Sequence, residues 1–193
     1  MGRSKEQNEK IRDATRDKIM SAAVSLFVEK GLAATRTQDI AGRTGVSEGT
    51  LFNYYKTKEE IFDALIGVAR QEIDALRQGL SLIPCPVEAI NILAKDIIAE
   101  MTAGINYSQW QVLLMNAGDK TDGFLDGVIG ALVALVKRGQ SAGKFRDGDP
   151  AMIAQCFVAT MQGLCLLQIA SKSKFCVPTV DILTATILKT VHK

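Results

Sequence analysis

Between Thr37 and Lys58 the chain gathers polar side chains that hydrogen-bond without reacting: Thr37, Gln38, Ser47, Glu48, Thr50 and Asn53, with Tyr54 and Lys58 behind them. These are groups suited to reading a DNA duplex. Thr50 offers a methyl or a hydroxyl, Asn53 an amide, and Glu48 an acceptor for cytosine N4, all of which address base edges in the major groove. Thr37 and Gln38 can bond phosphates beside a positive helix end, and Lys58 adds a point charge there. Gly49 lets backbone come close to a ligand because it has no Cβ. The competing reading is a plain helical hairpin with a solvated polar face, in which Phe52, Tyr54 and Tyr55 are core aromatics. For Tyr55, burial is expected.

Catalytic chemistry finds little to use. His192 is the sole histidine and the penultimate residue, and there is no zinc-ligand spacing, P-loop or G-x-S-x-G. No catalytic residue, metal site or cofactor is expected, and the chain is not read as an enzyme. The cysteines, Cys85, Cys156, Cys165 and Cys176, form no CxxC pair, and the polar N-terminus carries no secretory signal. Reduced thiols in the cytoplasm follow, with Cys156 and Cys165 expected to be buried among apolar neighbours.

The elements that must hold the polar groups are helices. Apolar residues recur at spacings of three and four, 47% of the residues are hydrophobic, and there are only 4 prolines, so the fold class is all-α. Residues 1–10 are polar and expected to fray. A first helix, 11–30, carries Ile19, Ala23, Leu26 and Phe27 on one face and ends at Gly31. Two short helices follow, 37–44 capped by Thr37 and 47–54 capped by Ser47, with Gly45 between them. That is the layout of a helix-turn-helix, with Ile40, Ala41, Val46 and Leu51 as its small core. Thr57 and Glu60 form a capping box for a fourth helix reaching about Gln78, where Gly79 can stop it.

Beyond the break around Pro84 and Pro86, helices are expected at 87–102, 108–117, 123–142, 150–171 and 178–191. The domain division is a helix-turn-helix domain at 11–58, a linking helix at 58–79, and a helical domain at 80–193. Charge follows the same division: residues 1–58 hold 11 Lys or Arg against 7 Asp or Glu, while 59–193 hold 12 against 14. A basic front suits phosphates, though the excess is small. Residues 151–170 carry no charge and are long enough to span a bilayer, but three glutamines interrupt them and no basic cluster flanks them closely. Burial between soluble helices is the expectation, with no membrane partner.

The run TRTQDIAGRTGVSEGTLFNYYKTKEEIFDALI, residues 35–66, together with AAVSLFVEKG before it, resembles the N-terminal domain of the tetracycline-repressor (TetR) family of bacterial regulators. The likeness covers roughly residues 16–66, about a quarter of the chain; its fixed points are D-I-A at Asp39, G-V-S at Gly45, G-T-L at Gly49, and the aromatic pair before T-K-E-E. It implies DNA contacts at Thr37, Gln38, Thr50, Tyr54 and Lys58, and also at Ser47, Glu48, Gly49 and Asn53. At Phe52 the family often has tyrosine, so one phosphate-bonding hydroxyl is missing here.

The resemblance further implies a homodimer joined through the last two long helices, a near-palindromic double-stranded operator, and release by a small-molecule effector. The uncharged 150–171 helix suits such pairing, with Gly163 allowing close approach. Candidates for the effector cavity are Met101, Ile105, Trp110, Leu114, Phe124, Phe157 and Met161, which would favour a mainly apolar ligand. A helical ligand-binding or adaptor protein without DNA binding is the alternative.

Overall fold

The structure is a computed structural model and describes residues 5–104, 106–115, 123–171 and 174–189. Its described residues form helices, plus one isolated antiparallel bridge between Phe145 and Leu188. The chain divides into two compact units, Met1–Val68 and Ala69–Lys193.

In the first unit, α1 spans Lys5–Lys30. It starts earlier than the expected 11, because residues 5–10 continue as an exposed helical turn with Lys10 paired to Glu6 at 3.2 Å, an i,i+4 contact that apolar periodicity cannot reveal. Gly31 ends α1 at φ 81°, its N–H donating to the Phe27 carbonyl. The following turn is tied down by Thr35, whose hydroxyl donates to the Gly31 carbonyl at 2.8 Å. Helix α2 is Thr37–Thr44, α3 is Glu48–Phe52, and α4 is Lys58–Leu82, which starts here and carries the chain into the second unit. Ile19, Ala23, Leu26, Phe27, Ile40, Ala41, Leu51, Ile61 and Phe62 are buried, and Phe27 meets Phe62 edge to face with ring centroids 5.9 Å apart. Tyr55 is buried as expected, whereas Val46 is only half-buried.

The second unit contains α5 (Pro86–Ala103), α6 (Asn106–Met115), α7 (Phe124–Ser141), α8 (Pro150–Ser171) and α9 (Val180–Thr184), with the C-terminal part of α4. Its core joins Ile90, Met101, Leu132, Leu135, Phe145, Phe157 and Leu183. Helix α4 passes through Gly79 to Leu82. One of its closing carbonyls and the two after the helix are bonded by a side chain from α7: the Arg138 guanidinium donates to the Leu80 carbonyl at 2.8 Å, to that of Ile83, and to that of Pro84 at 3.0 Å. A helix end needs partners for these groups, and here a guanidinium replaces a glycine cap.

The expected last long helix, 178–191, is corrected to the five residues of α9. After Thr184 the chain turns, and then pairs with the segment after α7: Arg146 N–H donates to the Ile187 carbonyl and Lys189 N–H to that of Lys144. Several residues here are β-branched threonine, valine and isoleucine, which hold a helix weakly, and Ile187 gains full burial in the turn.

Candidate functional site

The polar residues of the first unit are positioned from their caps. Ser47 sits in extended conformation before α3 and accepts the Thr50 N–H at 3.1 Å, while the two hydroxyls lie 2.8 Å apart. Thr57 accepts the Glu60 N–H at 3.1 Å; the Glu60 carboxylate bonds the N–H of Lys56, one residue before its expected partner. The cap of α2 is Arg36, not Thr37: Arg36 is extended, and its N–H donates to the Asp39 carboxylate at 3.1 Å. Thr37 is therefore the first residue inside α2.

A shallow depression is lined by Thr35, Arg36, Thr37, Gln38, Glu48, Thr57, Lys58 and Glu59. It gathers four of the sequence-derived residues, Thr37, Gln38, Glu48 and Lys58, at the N-terminal ends of α2, α3 and α4. Lys58 is anchored there by donating to the Ala33 carbonyl at 2.8 Å. Ser47, Gly49, Thr50, Asn53 and Tyr54 do not line the depression; they belong to α3 and its flanks, where Ser47, Gly49 and Asn53 are exposed and Thr50 and Tyr54 half-buried. A Cβ placed on Gly49 would meet only the Ser47 hydroxyl, at 3.9 Å. Packing within the chain thus does not call for glycine on this helix, although glycine weakens a helix by about 1 kcal/mol relative to alanine. Arg36 was missed by sequence reasoning; its signal was a cation directly before the start of α2.

The first unit fixes α2 against α1 with charges. Arg43 makes a bidentate pair with Glu29, at 2.7 and 2.9 Å, and Lys30 approaches Asp39 at 3.4 Å. The Arg43 hydrogen bonds hold the Glu29 carboxyl below its ordinary 4.5, and the Arg36 N–H holds that of Asp39 below 3.8. A depressed carboxyl contributes stability above its ordinary value and loses it as pH falls through the lowered one. Melting of the first unit should therefore drop modestly on acidification from pH 6 to pH 3, since solvent screens both pairs. Thermal melts of Arg43→Met across that range should begin lower and fall less steeply; an unchanged pH profile would remove the Glu29 pair from the account.

In the second unit a cavity of about 240 Å³ lies among α4, α5, α6, α7 and α8. Of the expected lining, Leu114, Phe157 and Met161 face it. Met101 does not: it is 1% exposed and packed in the core. Trp110 is also outside the lining, its indole N–H donating to the Glu72 carboxylate at 3.4 Å. Ile105 and the side chain of Phe124 lie outside the described residues. The lining that sequence reasoning missed includes Glu72, Ile73 and Leu76 of α4, Ile97, Tyr107, Gln111 and Cys165. Burial pushes the Tyr107 hydroxyl far above its ordinary value and also raises the Cys165 thiol, so both stay protonated at neutral pH. Cys156, expected to be buried, is exposed, because it falls on the outward face of α8.

That face is apolar. Helix α8 is the one described helix with the length and composition of a membrane span, yet only 33% of its most apolar window is buried. Met152, Leu166 and Leu167 are 63%, 58% and 54% exposed.

A first unit built on a helix-turn-helix and a second, helical unit with an internal cavity define the class: a two-unit helix-turn-helix protein. Residues 19–65 match the family described as "Bacterial regulatory proteins, tetR family". That segment, about a quarter of the chain, is what is similar to the family. The chain is 42% identical over 52 residues to the uncharacterized HTH-type transcriptional regulator YvkB of Bacillus subtilis, covering 27% of this chain and 28% of that one. It is 35% identical over 54 residues to the HTH-type transcriptional repressor KstR2 of Mycobacterium tuberculosis, covering 28% and 27%. The chain thus matches under a third of the length of these two relatives. Over 90% of both chains the fold resembles SmeT, the repressor of the Stenotrophomonas maltophilia multidrug efflux pump SmeDEF, at 19% identity and a TM-score of 0.65.

Proposed function

We propose that this chain is a DNA-binding transcription regulator, a repressor that holds a near-palindromic operator as a homodimer and leaves it when a small, mainly apolar effector fills the second unit. The observation that carries the reading is the first unit's arrangement: a short α3 with an exposed polar face and an unneeded Gly49, beside a depression where Arg36 and Lys58 flank the start of α2. Ser47, Glu48, Thr50 and Asn53 then address base edges, with Gly49 allowing close approach; Thr37, Gln38, Tyr54, Lys58 and Arg36 hold phosphates.

The homodimer is supported by α8. Met152, Cys156, Ala159, Gly163, Leu166 and Ala170 are all exposed and recur at spacings of three and four, and all but Met152 and Leu166 are small, so a second α8 can pack closely along the stripe. The partnership rests on α8, since the second long helix expected beside it is only the short α9. Effector release is supported by the cavity and by SmeT, a structure of which is its complex with triclosan. An effector acts only through its different affinities for the DNA-bound and released states. A soluble, cytoplasmic protein follows from this reading.

Sequencing the genomic fragments retained by the purified protein tests it and gives the half-site spacing. On a recovered fragment, Arg36→Ala and Lys58→Ala should each weaken binding on all sequences and flatten the salt dependence by about one ion, whereas Asn53→Ala should relax preference at one base pair at a cost of about 1–3 kcal/mol. Fluorescence anisotropy across salt concentrations separates the two effects. Failure to retain any fragment at low salt would leave a helical ligand-binding protein.

A further inference from the structure

The cavity wall is mainly apolar, with Tyr107, Gln111, Gln162 and Cys165 as neutral polar residues and Glu72 as the one charged residue among the described lining. Helix α4 directs Ala69, Ile73 and Leu76 into it at helical spacing, and Glu72 occupies the edge of the same stripe. None of the described lining residues is Lys, Arg or His, and among the described residues no cation pairs with the Glu72 carboxylate. Its one hydrogen bond is the long one from the Trp110 indole, to a single oxygen. The side chain is exposed, in contact with water at the cavity rim.

Filling the cavity changes that balance. A ligand that enters strips water from one side of the carboxylate, and a charge so treated is costly unless a partner replaces the solvent. A neutral ligand without a donor leaves the cost in place, a neutral donor offsets part of it, and an anionic ligand adds repulsion with no lining cation among the described residues to offset it. A ligand with its own positive charge gains most at Glu72, because it adds Coulomb attraction to the hydrogen bond that a neutral donor could also make to the carboxylate. Tyr107, kept protonated by burial and by nearby negative charge including Glu72, provides no positive charge.

We infer that the effector of this cavity is a compact lipophilic cation, whose apolar body packs between Ile97, Leu132, Phe157 and Met161 while its ammonium or similar head meets Glu72 at the rim. This rests on the reading of the cavity as the effector site. A volume of about 240 Å³ lies below the roughly 300–1,000 Å³ of common ligand pockets, which favours a small body with one head group.

Three probes of matched shape test the inference by isothermal titration into the full chain: 4-phenylbutylammonium, 4-phenylbutan-1-ol and 4-phenylbutyrate. The ammonium should bind about tenfold or more tightly than the alcohol, with the carboxylate weakest, and Glu72→Gln should abolish that order while retaining the alcohol. An ammonium no tighter than the alcohol in the wild type overturns the inference, with no variant needed. So does a preference that survives Glu72→Gln. Loss of alcohol binding in Met161→Trp, without any charge preference, keeps the effector cavity and removes only its cationic ligand. Absence of binding by all three removes both, while fragment retention by the same preparation reports separately on DNA reading.

Discussion

Phe145→Ala should destabilise the second unit by about 3–5 kcal/mol, the range for removing a fully buried aromatic ring. Phe145 is 0% exposed and lies across the backbone of α7 at Gly139. A Cβ on Gly139 would stand 2.2 Å from the ring carbons Cγ and Cδ2, far inside contact distance. The N–H groups of Lys144 and Phe145 both donate to the Gly139 carbonyl, so the ring has little backbone freedom to withdraw. Gly139→Ala, which in an ordinary helix interior would add up to about 1 kcal/mol, should therefore destabilise instead, by about 1–3 kcal/mol. Combined with Phe145→Ala the sign should reverse, because the obstructing ring is gone and only the gain in helix propensity remains. Urea unfolding followed by circular dichroism gives the double-mutant cycle. Additive effects would mean that the ring and Gly139 do not share one space.

Leu166→Glu should turn the proposed dimer into a folded monomer and weaken operator binding about 100-fold or more. In the isolated chain Leu166 is 58% exposed, so a carboxylate there meets water and leaves the circular dichroism spectrum and the core unchanged. In the paired state it would lie against its own copy in the middle of an uncharged stripe, where two desolvated like charges cannot be accommodated. Loss of the partner removes the second half-site contact and with it the avidity of a linked pair, commonly a factor of about 10²–10⁴. Light scattering at micromolar concentration and anisotropy on the recovered operator measure the two effects. A variant that remains dimeric would move the interface off this face of α8.

Much of the fold was legible because its signals are local. Helices α2 and α8 occupy 37–44 and 150–171 as their periodicity and boundary residues indicate, and Gly31 and Gly45 mark the turns that their positive φ requires. The side chains proposed to read bases could be named because α3 is short and capped by Ser47. What escaped depends on contacts distant in sequence. The end of the chain, 178–191, has helical periodicity but is drawn off by pairing with residues 144–146. Arg36 needed the true cap of α2, one residue earlier than expected. In the cavity, Leu114, Phe157 and Met161 were visible as apolar residues at helical spacing, whereas Met101 has the same appearance and fills the core. Glu72, Ile73 and Leu76 were overlooked because α4 was given to linkage alone, and nothing local tells a linking stripe from a cavity wall.

Arg138 makes the length of α4 conditional. Gly79 did not end that helix, and the carbonyls of Leu80, Ile83 and Pro84 find their donors on one guanidinium of α7. A terminus whose Leu80 carbonyl and following turn are tied to another helix depends in part on where that neighbour stands. Since Leu125, Val128 and Leu132 of the same α7 form part of the cavity wall, a displacement of that wall that withdraws Arg138 would uncap α4. The final turn of α4 would then unravel or reseal as one event, making its register a count of where α7 stands.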